Sequence, residues 1–95
     1  MEEKIVTLHP DPAKAGLNIR KEKYEVIRDA ILRILRDKDE MLFKDLAGEV
    51  EKMIEGGFEG SISWYVTTVK LDLEARGVIE RVHGMSPQRL RIKEQ

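Results

Sequence analysis

The 95-residue chain has no cysteine, which excludes a disulfide framework and any thiolate metal site. Its two histidines, His9 and His83, lie far apart without H-x-x-x-H spacing, so no metal and no cofactor is expected. Prolines are few and fall at Pro10, Pro12 and Pro87, leaving the middle of the chain free to build helices. No apolar run approaches the roughly 20 residues that a membrane-crossing helix needs. The first residues, MEEKIVTLHPDP, are acidic and proline-broken, unlike a signal peptide. The expectation from these absences is a cytoplasmic protein without a membrane partner.

What is present fits one domain. The composition is 41% hydrophobic and 37% charged, enough for a single core at this length. A net charge of −1 excludes polyanion binding by bulk attraction. The charge is uneven, however: residues 1–60 hold 11 Lys/Arg against 14 Asp/Glu, and residues 61–95 hold 6 against 4. Any positive surface belongs to the C-terminal third.

Residues 1–19 read as an N-terminal arm, because Pro10 and Pro12 bias their neighbours to extended backbone and Gly16 adds a break. Residues 20–95 then form the domain. Asn18 is a candidate cap for a first helix over residues 20–36, with Tyr24, Ile27, Ile31, Ile34 and Leu35 as its apolar stripe. Residues 41–43 are either a short third strand or the lead-in to a second helix over 44–55. That helix turns Leu46, Ala47, Val50, Met53 and Ile54 inward, and Phe58 anchors the glycine-rich loop after it.

The most informative stretch is GSISWYVTTVKLDLEARGVIERV at 60–82. Ile62, Val66, Val69 and Leu73 recur at helical spacing and predict a third helix over 61–76. Gly77 stands where a helix ending in the left-handed conformation places its glycine, so a positive φ is expected there. A strand over 78–83, a turn over 84–87 and a strand over 88–92 complete the chain.

Three helices followed by a β-hairpin resemble the winged-helix plan, with the third helix as recognition helix and the hairpin as wing. The segment V-x-x-V-x-x-x-L-E-x-x-G-V-I at Val66 to Ile79 is similar to the recognition-helix pattern of multidrug-resistance-type and phenolic-acid-type bacterial repressors. The chain also resembles small uncharacterised bacterial proteins of this length. The expected class is α+β and mostly α: a three-helix core with a C-terminal two-stranded wing. The resemblance implies a transcriptional regulator whose partner is duplex DNA. Repressors of those families dimerise through helices beyond the wing and carry recognition helices richer in Arg, Lys, Gln and Asn than this one.

The expected contacts follow from geometry. At about 100° per residue, Trp64, Thr68, Leu71 and Ala75 oppose the core stripe. With Ser63, Thr67 and Lys70 they form the face offered to the major groove. Inward Leu90 and Ile92 send Arg89, Arg91 and Lys93 outward, where Arg81, His83 and Gln88 can join them against phosphate. Helix two is acidic and must face away from DNA. The alternative is a protein-interaction or dimerisation module that covers the apolar Trp64/Leu71 patch without binding DNA. The arm, through Leu8, Pro10 and Leu17, is a third cover and leaves Trp64 at least half buried. No constellation of nucleophile, base and pocket points to an enzyme.

Overall fold

The computed structural model describes residues 3–14, 16–54, 57–82 and 87–93. Strand β1, Lys4–Val6, pairs antiparallel with β2, Asn18–Arg20, and Ile5 stands opposite Ile19 on the inner side. The stretch read as an arm is therefore, in its described part, a hairpin. Thr7 closes it: its N–H and hydroxyl donate to the Leu17 carbonyl at 2.8 and 3.1 Å, and the hydroxyl accepts from Leu17 N–H at 2.9 Å. Gly16 is required beside this clasp, because a Cβ there would lie 1.4 Å from the Thr7 carbonyl oxygen.

Helix α1, Lys21–Lys38, starts directly from β2. The expected cap at Asn18 does not form: Asn18 is a strand residue, and the cap position falls to Arg20, whose side chain does not cap the helix. Tyr24, Ile27, Ile31, Ile34 and Leu35 are all buried, as their spacing predicts. Asp39, at φ 64°, turns the chain out of the helix. Of the two readings of residues 41–43, the strand is the one found: β3 is Glu40–Leu42, and Phe43 already opens α2, Phe43–Ile54. Met53, expected inward, is exposed, because α2 buries only the narrow stripe of Leu46 and Val50.

Helix α3, Ile62–Ala75, is capped by the Ser61 hydroxyl, which accepts from Trp64 N–H at 3.1 Å. Its far end has the glycine stop that the sequence calls for. Gly77 has φ 74°, its N–H bonds the Glu74 carbonyl at 3.1 Å, and Val78 N–H reaches back to Leu73 at 2.9 Å. Strands β4, Ile79–Arg81, and β5, Arg89–Ile92, follow. They are shorter than expected, and residues 83–86, with His83, lie outside the described residues.

The second sheet has the order β3-β5-β4 and is antiparallel throughout. Among the described residues the fold is α+β and roughly half helical, with three helices and two small antiparallel sheets. Ile27, Ile31, Leu35, Leu46, Val50, Val66, Val69, Leu73, Ile79 and Leu90 form one core drawn from all three helices and the second sheet. No helix among the described residues is long and apolar enough to cross a membrane.

Candidate recognition surface

Helix α3 is buried around far more of its circumference than a surface helix. Besides Val66, Val69 and Leu73, it hides Thr68, Lys70 and Asp72. Thr68 and Lys70, both expected on the contact face, are thus removed from it. A single opposed face presumes that one neighbour covers the helix, whereas α3 packs against α1, α2 and β4 and meets the N-terminal hairpin as well.

On the hairpin side the centre is Asp72, fully buried. Its carboxylate accepts the Tyr24 hydroxyl, the Leu8 backbone N–H at 2.8 Å, and Arg76 Nε at 3.0 and 2.9 Å. A buried carboxylate this well supplied with donors is satisfied rather than strained. Burial, then the hydrogen bond to Asp72, push the Tyr24 phenol up to about 12. The hydrogen bond to Asp72 likewise raises Arg76, which stays a cation.

On the other flank Lys70 is buried with its ammonium 2.5 Å from Glu74 and 4.7 Å from the centre of the Phe43 ring. Burial lowers the Lys70 pKa, opposed by Glu74. Arg81 adds a longer approach to the same carboxylate, 3.6 Å. Lys70-x-x-x-Glu74 and Asp72-x-x-x-Arg76 are both i,i+4 pairs, the one signal in the sequence that could have pointed to Asp72 and Glu74, which the sequence reading missed.

Between these flanks remains a narrow stripe of Ser63, Trp64 and Thr67, with Leu71 half-buried at its edge. The Thr67 hydroxyl is turned back to the Ser63 carbonyl at 3.1 Å. Trp64 keeps 46% of its surface exposed and meets Tyr65 edge-on at 4.9 Å. Tyr65 in turn stacks edge-on with Phe58 at 5.1 Å, and the Lys23 ammonium lies 5.4 Å from both rings. The expected cover of Trp64 by the arm is not found: Leu8 and Leu17 are themselves exposed, and the hairpin is tied to α3 two turns away at Asp72.

The β4–β5 hairpin carries its arginines in pairs. Register sets Arg91 between Glu40 and Glu80, so these three share the outer face with Arg89. Arg91 bonds Glu80 at 2.7 Å and Arg89 bonds Glu40 at 3.1 Å. Arg81 stands opposite Leu90 on the other face and so does not join Arg89 and Arg91, contrary to expectation. Gln88 is half-buried, and its backbone carbonyl accepts Phe43 N–H at 2.9 Å. Among the described residues no group of His, Asp and Glu could hold a metal ion. A groove of about 730 Å³ beside the sheet is lined by Leu35, Arg36, Asp39, Glu40, Glu80, Arg91 and Ile92. Its charges are mixed, and Glu80 and Arg91 are already spent on each other.

A family model described as a family of unknown function, DUF6958, matches residues 4–90, from the N-terminal hairpin to the last strand. The chain belongs to DUF6958. Neither the curated proteins nor the solved structures contain a match to it. The matched span takes in the hairpin, Asp72 and the Arg89–Glu40 pair, while Arg91 lies one residue past its end.

Proposed function

We propose that this DUF6958 chain is a winged-helix domain that contacts duplex DNA through the exposed stripe of α3, with the wing alongside. What carries the reading is the arrangement of elements. A helix running straight into a hairpin, with the strand before α2 added to the hairpin's second strand in the order β3-β5-β4, fits the winged-helix plan and supports this reading. Ser63, Trp64 and Thr67 lie in the first half of α3, the part of a recognition helix that meets base edges. Arg89 and Arg91 are the phosphate contacts, and each must exchange a carboxylate for a phosphate. Exposed ion pairs contribute only about 0–1 kcal/mol, so this exchange is cheap. The wing nevertheless starts neutral, and the affinity from backbone contact is correspondingly small.

Titration of the labelled chain with a short generic duplex at low salt, followed by NMR, tests this reading. Shifts at Ser63, Trp64, Thr67, Arg89 and Arg91 that reverse with added salt are expected. An unchanged spectrum would overturn it. The pairing of Arg81, Arg89 and Arg91 with carboxylates favours a second reading, a protein partner seated over Trp64 and Leu71. That reading expects self-association with rising concentration and no response to DNA.

A further inference from the structure

Most of the buried polar groups gather on the hairpin side of α3, with Lys70 on the opposite flank. Among the described residues the buried polar or charged side chains are Thr7, Thr68, Lys70 and Asp72. Thr7 belongs to the hairpin, Asp72 receives the hairpin's Leu8 N–H, and Thr68 lies one helical turn before Asp72 on the same flank. The Tyr24 hydroxyl ends at Asp72 too. Where the hairpin meets α3 the contact is therefore a polar one, the Leu8 N–H on the buried Asp72 carboxylate. Contacts of that composition are the ones across which parts of a chain move, because separating them returns hydrogen-bonding groups to water instead of exposing apolar area. The hairpin's own anchors are small by comparison: Ile19 is buried and Ile5 only partly so. Val6, Leu8 and Leu17 face outward and hold nothing. A two-stranded hairpin has little stability of its own.

We propose that the N-terminal hairpin is a strap, hinged at the loopless junction of β2 and α1 and latched at Asp72, which opens as a unit while the three helices and the second sheet stay folded. Opening frees the flank of α3 that carries Thr68, Asp72 and Arg76, and so widens the narrow stripe of Ser63, Trp64 and Thr67. The strap stands on the hairpin contact alone and holds whichever partner meets α3. Its closed state is held at Asp72 by the Leu8 N–H, while Tyr24 and Arg76 fix the carboxylate that receives it, and the clasp at Thr7 keeps the two strands together as they move.

Native-state amide exchange on the full chain tests this without a ligand. The Thr7, Leu17 and Lys21 amides, bonded to Leu17, Thr7 and Glu3, should exchange at least about 100-fold faster than the Val69 and Leu73 amides of α3. Equal rates, meaning one cooperative unit, would overturn the strap. Gly16→Ala attacks the hairpin alone by driving a methyl into the Thr7 carbonyl. A strap predicts a folded, cooperatively melting protein whose hairpin amides have lost protection. A Gly16→Ala chain without helical structure would show the hairpin to be part of the core and end the proposal.

Discussion

Gly77 isolates one physical effect. Its φ is 74° and no atom lies within 4 Å of where a Cβ would be, so a side chain there meets backbone strain and no clash. Gly77→Val should cost about 1–2 kcal/mol, measured by urea denaturation, since a β-branched residue is held in the left-handed region. An unchanged midpoint contradicts this. Tyr24 supplies a test in pH. Its folded pKa is about 12 against an ordinary 10, so between these values the unfolded chain has lost a proton that the folded chain keeps. The unfolded state binds fewer protons, and stability must fall as pH rises through that window, by up to about 1.4 kcal/mol per unit. The contribution is whole below pH 10 and gone above 12. In the Tyr24→Phe protein this part of the decline disappears, and denaturation of both proteins across pH 9 to 12 should show the difference.

At the scale of elements, α3 sits between two charged clamps. Lys70 and Glu74 form a pair buried from water, and truncating one partner of such a pair costs about 3–5 kcal/mol because the other charge is stranded. Arg81 remains near Glu74, so Lys70→Ala should fall toward the lower end, about 3 kcal/mol, in the same denaturation assay. A loss well under 1 kcal/mol would mean that water reaches Glu74 readily. The same pair marks how far the sequence could be read. The stripe of Val66, Val69 and Leu73 and the stop at Gly77 were legible, because spacing and a single glycine determine them locally. Thr68 and Lys70 were misplaced, because no periodicity records how many neighbours surround a helix. The hairpin also escaped: its strands have three residues each, too short for alternation to show, and the Thr7–Leu17 clasp depends on a contact ten residues apart. Arg81 was assigned to the wrong face because parity along one strand does not fix register against the next.

For the molecule as a whole, the question is whether a chain of net charge −1 can hold a polyanion. Its outer sheet face has two arginines and two glutamates in near contact, so to a phosphate at a distance it is close to neutral. If the wing does contact DNA, the carboxylates are what limit its affinity. Replacing Glu40 and Glu80 by Gln should then raise affinity for every duplex alike. It should also steepen the slope of log K against log salt by about 0.9 for each phosphate newly neutralised, about 1.8 for both. Arg89→Ala with Arg91→Ala should do the reverse. Stability is the control: both glutamates are partly exposed, and their pairs contribute at most about 1 kcal/mol each. The double Gln variant should therefore melt near the wild-type temperature. A well-folded Glu40→Gln, Glu80→Gln protein that still ignores duplex DNA at low salt would remove the wing from any nucleic-acid contact. The face of Trp64 and Leu71 would then be left for a protein partner.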